Sequence, residues 1–262
     1  VKVVMVLALA GIAVGAVAAT DAPRPYLADV PKAELIHVLP PPPASGSAEE
    51  EADRRIFRET RALEGSPRWQ LATHDVTDDR FTTFACAMGM KLDRQSAPAL
   101  ARVFDRMGGV DLVASVKSAY QRRRPYLDVP GPICEPKTAH LAGNGDYPSG
   151  HTTAGWSTAL VLAELMPDRA TAILRRGRVY GESRYLCGAH SKSAVEAGYL
   201  AGSAMVALLH ASPDFAPDML AARRELKDLR SKAPSSDPAR CTLENESSRN
   251  ARPNRAAGNR GR

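Results

Sequence analysis

The stretch YPSGHTTAGWSTALVLAEL, Tyr147–Leu165, decides how the chain is read. It opens on Pro-Ser-Gly-His and runs into an apolar segment whose one charged residue is Glu164. Ser149 is a plausible N-cap, and Gly150 lets the backbone approach a ligand closely. A helix is therefore expected from Thr152 to Leu165. The unpaired amides at its start favour an anion, and His151 stands where that anion would be held.

Working outward, helical patterning returns on both sides. Downstream segments run from Asp168 to Gly181, from Ser193 to Ala211 and from Asp214 to Leu229. Upstream ones run from Ala48 to Leu63, from Phe81 to Met90, and from Ser96 to Arg123 with a break at Gly108-Gly109. Between Pro125 and Pro148 lies a Pro/Gly-rich loop. Neither strand alternation nor an internal repeat is visible. The expectation is an all-α, single-domain helical bundle of six to eight helices.

The ends of the chain are different in kind. Residues 1–19 read as a signal peptide: Lys2, an apolar run, then Ala16-Val17-Ala18 as a cleavage pattern. Residues 20–47 read as an extended, Pro-rich leader, with four consecutive prolines at Pro40–Pro43. Residues 48–230 make the main domain. Residues 231–262 read as a basic, disordered tail, and Arg249–Arg262 alone holds five arginines and no acid.

The chain has 262 residues, 44% hydrophobic and 24% charged, with a formal net charge of +6. That excess sits largely in the tail, so no nucleic-acid partner is expected. Past the signal no stretch reaches about 18 apolar residues, so no membrane association is expected after cleavage. The expected location is periplasmic or secreted. A homo-oligomer is left open, with the proline strap available to cross a neighbour. Four cysteines, Cys86, Cys134, Cys187 and Cys241, are too dispersed for a zinc pattern. One or two disulfides are permitted, among three full pairings; Cys241, in the polar tail, is the one expected to be free.

Two further clusters join the opening stretch. Lys117 and Arg124 are seven residues apart, close to two helical turns, with Pro125 ending the helix. Such a pair clamps an oxyanion, lysine as a point charge and arginine as a planar fork. In Ser183-Arg184-x5-His190, Arg184 offers a second fork and His190 a nucleophile or base. Taken together, Lys117-x6-Arg124-Pro125, Pro148-Ser149-Gly150-His151 and Ser183-Arg184-x5-His190 resemble the three-part signature of the PAP2 acid phosphatase and vanadium haloperoxidase superfamily. The nearest likeness is to the bacterial class A non-specific acid phosphatases, supported by ETRALEGSPRW (Glu59–Trp69) and RGRVYGESR (Arg176–Arg184). The resemblance spans about Tyr26 to Leu229.

It implies a fold of the PAP2 acid phosphatase type and hydrolysis of small phosphate monoesters without a metal or other cofactor. By the same resemblance His190 attacks phosphorus and becomes a phosphohistidine, and His151 protonates the leaving oxygen. Lys117, Arg124, Arg184, Ser149 and the Gly150 amide hold the phosphoryl oxygens. The third motif departs from the family, which continues after the histidine as W-x-S-D. Here Ser191 stands at the Trp position and Ala194 at the Asp position. That Asp orients the nucleophilic histidine, so reduced activity is expected. Ser193-x-x-Glu196 reads as a capping box, which leaves Glu196 an unsuitable substitute. The alternatives are a phosphate-binding pseudoenzyme and a vanadate-dependent haloperoxidase.

Overall fold

Helix α9, Gly150–Leu165, runs through the middle of the molecule, and its capping explains where it begins. The Ser149 side chain accepts a hydrogen bond from the Thr152 amide, so the helix starts two residues earlier than the apolar run alone implies. The computed structural model describes residues 23–28, 34–77 and 79–249, and the expected signal peptide (1–19) and residues 250–262 of the tail lie outside them. Before α9 come α1 (Leu35–Val38), α2 (Ala48–Thr60), α3 (Pro67–His74) and α4 (Arg80–Met88). They are followed by α5 (Pro98–Arg106), α6 (Val110–Tyr120), α7 (Pro125–Asp128) and α8 (Ala139–Gly143). After it come α10 (Ala170–Cys187), α11 (Lys192–Leu209), α12 (Phe215–Leu229) and α13 (Pro238–Arg249). No strand occurs among the described residues, so the fold is all-α.

Helices α10 and α11 flank α9 and touch each other; α12 lies on α5, and α3 and α4 lie on α10. The main core is the apolar face shared by α4, α5, α9 and α12, with Phe84, Leu100, Val103, Leu162 and Phe215 all at most 1% exposed. Close packing of α11 on α9 is possible because Gly198 and Gly202 face it. A Cβ on Gly202 would lie 2.8 Å from the Thr153 carbonyl oxygen, and one on Gly198 would lie 2.9 Å from that of Ser149.

Several sequence expectations are corrected. Lys117 and Arg124 do not share a helix: α6 stops at Tyr120, where Gln121 takes a left-handed φ of 47° and its amide bonds the Lys117 carbonyl. Residues 121–124 then run as an irregular connector, with Arg124 as the N-cap and Pro125 inside α7. The cap of α11 is Ser191, whose side chain accepts from the Ala194 amide, not Ser193. Glu196 instead pairs with Lys192 on the surface. Helix α3 was not anticipated, although Ser66 caps it and Pro67 opens it.

The leader and tail also differ from expectation. In the leader, Leu35 and Leu39 are buried against Val116, Tyr147 and Ala194, so this part of the strap packs on its own bundle. The tail is not disordered throughout, because residues 238–249 form α13. Cys241 is not free; it bonds Cys86, while Cys134 bonds Cys187. Glu244 of α13 is buried, with Oε2 3.4 Å from Arg176 Nε. A polar helix docks here because a covalent link and a buried ion pair replace the apolar face it lacks. Among the described residues no helix is long and apolar enough to cross a membrane.

Candidate active site

The N-terminus of α9, the end of α10 with the His190 turn that follows it, and α6 with the connector after it converge on one cavity of about 820 Å³. Lys117, Arg124, Gly150, His151, Arg184 and His190 all line it. The three motifs, spread over 74 residues of sequence from Lys117 to His190, thus meet at a single site. Ser149 is fully buried and is not part of the cavity wall; its Oγ accepts from the Thr152 amide and from the Thr152 hydroxyl at 2.9 Å. Its observed work is to cap α9 and so fix the Gly150 amide and His151. Ser183, also in the third motif, donates to Asp75 at 2.6 Å and belongs to a buried structural network.

His190 is placed by the end of α10. Gly188 turns the chain with φ 87°, and the Ala189 and His190 amides both bond the Arg184 carbonyl at 3.2 Å. The ring is 2% exposed and engaged on both sides. Arg124 Nη1 lies 3.0 Å from Nε2, and a guanidinium can only donate, so Nε2 is the bare nitrogen. The proton is on Nδ1, which donates to the Asp146 carbonyl oxygen at 2.7 Å and lies 3.2 Å from the Asp146 carboxylate. Burial first, then Arg124, Lys117 and Arg184, push the imidazole well below its ordinary pKa. His190 therefore stays neutral, with a nucleophilic Nε2, far into the acid range.

Arg184 is fully buried. Its Nη2 donates to Glu135 at 2.5 Å, while Nε and Nη1 have no hydrogen-bond partner among the described residues. Two donors in that condition are costly unless something fills the cavity beside them. Lys117 donates to the Gly145 carbonyl, and burial, then Arg124, bring its pKa down to about 7. Burial also lowers Arg124, which donates to the carbonyls of Asn144 and Ala189, both at 2.7 Å. His151 Nε2 donates to the Val76 carbonyl at 3.2 Å at the partly open side. Lys117, Arg124 and Arg184 thus share one wall of the cavity with His151 and His190, an arrangement suited to an oxyanion.

Two residues of the site were not anticipated from sequence. Glu135 anchors Arg184, and Cys134–Cys187 ties its loop to the end of α10. Asp146 is fully buried and accepts from the Ser191 amide at 3.0 Å and the Ser191 hydroxyl at 2.6 Å. A carboxylate two residues ahead of Pro-Ser-Gly-His was its available signal. Burial raises the Asp146 pKa, opposed chiefly by Arg122, whose Nε is 3.7 Å away, and by Ser191.

A helical bundle with this anion pocket at its helix ends defines a class, and comparison with known proteins agrees. Residues 101–217 match the PAP2 superfamily. Within it the chain belongs to the acid phosphatase family. It is 45% identical over 212 residues to an acid phosphatase of Zymomonas mobilis subsp. mobilis, covering 79% of this chain and 80% of that one. It is 36% identical over 197 residues to a non-specific acid phosphatase of Salmonella typhimurium, covering 72% and 79%. A non-specific acid phosphatase of Providencia stuartii is 33% identical over 212 residues, covering 78% and 86%.

Proposed function

We propose that the protein is an exported acid phosphatase that hydrolyses small phosphate monoesters through a phosphohistidine on His190. The observation that carries this reading is Arg184, a buried guanidinium with two donors unpartnered among the described residues, at a cavity shared with Lys117, Arg124 and a neutral His190. The phosphoryl group sits among the three cations and the Gly150 amide. The Nε2 lone pair of His190 bonds to phosphorus as the P–O ester bond breaks on the opposite side. His151 gives its proton to the departing alkoxide. Water then attacks the phosphohistidine, His151 takes its proton, the P–N bond breaks, and inorganic phosphate leaves.

Cations fixed before the reaction stabilise the charge on the transferring phosphoryl oxygens without reorganising. The two histidines need opposite states: His151 must carry a proton to act as the acid, while His190, held low by burial and the facing cations, stays neutral in an acidic medium. The signal-peptide reading of residues 1–19, an apolar run ending in Ala16-Val17-Ala18, together with the two disulfides, supports an oxidising, periplasmic or extracellular location. The cavity accommodates a leaving group of sugar or nucleoside size.

The test is release of p-nitrophenol from p-nitrophenyl phosphate at pH 5–6, with the phosphoenzyme trapped from labelled substrate. Expected are turnover by the wild type and an acid-labile, base-stable label that His190→Ala abolishes. Equal rates for wild type and His190→Ala sink the proposal.

A further inference from the structure

We infer that Asp146 is the carboxylate that positions His190 and balances its charge, supplied from the segment before α9 and not from α11. The inference rests on the phosphatase reading above. Its ground is that Asp146 engages the nucleophile through two groups at once. Its carbonyl oxygen takes the Nδ1 proton at 2.7 Å, and its carboxylate lies 3.2 Å from the same nitrogen. The carbonyl is the closer partner and is enough to set the tautomer. What the carboxylate adds is negative charge beside a ring that becomes cationic when Nε2 bonds to phosphorus.

The carboxylate is itself held in place. Ser191, the residue after the nucleophile, bonds it through both amide and hydroxyl, and the same hydroxyl caps α11 by accepting from the Ala194 amide at 3.3 Å. Arg122 lies between Asp146 and Asp53, donating to Asp53 at 2.9 Å with its Nε 3.7 Å from Asp146. Asp53 in turn receives the Ser193 amide at 3.0 Å. Two carboxylates thus satisfy the start of α11, where the helix dipole favours them.

Ala194 belongs to this arrangement. It is fully buried among Leu35, Leu39, Val116 and Tyr147, and its carbonyl accepts from the Ser149 amide at 2.9 Å. A methyl group suits that apolar site. A carboxylate there would be desolvated, with another negative charge already serving the same imidazole. Ser191, Ala194 and Asp146 are therefore one coupled set, and the alanine does not leave His190 without a carboxylate.

The experiment measures kcat, KM and the inhibition constant of inorganic phosphate for the full chain, Asp146→Asn and Ala194→Asp. Asp146→Asn keeps the backbone carbonyl and the shape but removes the charge. Its kcat is expected to fall roughly 10²–10³-fold, less than the ~10⁴ lost on altering the orienting carboxylate of a serine triad, while phosphate inhibition stays within about threefold. Retention of kcat within about threefold overturns the inference, as does parallel loss of kcat and phosphate binding, which marks a purely structural residue. Ala194→Asp is expected to leave kcat at or below wild type, and a gain of about tenfold or more also overturns it. Wild type no faster than His190→Ala defeats the phosphatase reading and this inference with it; the preceding outcomes defeat the inference alone.

Discussion

Lys117 shows how a single residue sets the conditions under which the site works. Burial and the facing cations Arg124 and Arg184 depress its ammonium to a pKa of about 7, and Asp146 only partly offsets them. An anion in the cavity stabilises the charged form, so binding is strongest where lysine is already protonated. Below about 7 that condition holds in the free protein. Above it, binding must take up a proton, and affinity falls by up to about tenfold per pH unit. Sulfate, which stays a dianion throughout, is expected to inhibit steadily from pH 5 to 6.5 and progressively less from 7 to 8.5. Lys117→Met should bind weakly and lose that alkaline slope. A slope that survives in Lys117→Met assigns the proton to another group. Proton placement on His190 follows equally simple chemistry, since a donor-only arginine at Nε2 leaves Nδ1 as the protonated nitrogen.

Elements bring these residues together through the crossing of α9 with α11. Helix α9 presents its N-terminus to the cavity and α11 begins just after His190, and the crossing is close because Gly198 and Gly202 present bare backbone to α9. A Cβ at Gly202 meets Thr153 O at 2.8 Å and Ser157 N at 3.2 Å, both backbone atoms that cannot rotate away. Gly202→Ala is therefore expected to destabilise the fold by about 1–3 kcal/mol through overpacking. It should also reduce kcat, because separating α9 from α11 separates His151 from His190. Thermal unfolding by circular dichroism, read beside the p-nitrophenyl phosphate rate, checks both. An unchanged midpoint means that the helices adjust without strain. The helices themselves were largely legible in the sequence. Ser149 was readable as a cap, and Ser47, Ser66, Asp79, Thr138 and Ser191 cap their helices by the same local pattern, though α3 and α8 went unread and the α11 cap was assigned to Ser193. The end of α6 was not legible, because a left-handed glutamine carries no sequence mark of the kind a glycine does.

Across the whole molecule, α13 acts as a fastening against α3, α4 and α10. Cys86–Cys241 closes a loop of 155 residues, and neither cysteine lines the cavity. Arg176 is buried between Asp75, at 2.5 Å, and Glu244 of α13. Cys241→Ser is expected to cost roughly 2–4 kcal/mol of stability while leaving kcat and KM at 25 °C close to wild type. Denaturant unfolding with parallel kinetics tests this, and a matching loss of activity would tie α13 to the catalytic site. The sequence by itself determined the all-α class, most helix positions and the cationic and histidine members of the site. Those depend on apolar periodicity, caps and short spacings, whose free energies are local. Only the tertiary structure decided which cysteines pair, that part of the tail docks, and which carboxylate serves His190. Asp146 and His190 are 44 residues apart. No local rule links them, because their meeting depends on where the 121–149 connector runs and how closely α11 packs on α9. Ala194 looked like a lost function in the motif; in the fold it fills an apolar gap beside a carboxylate that arrives from elsewhere.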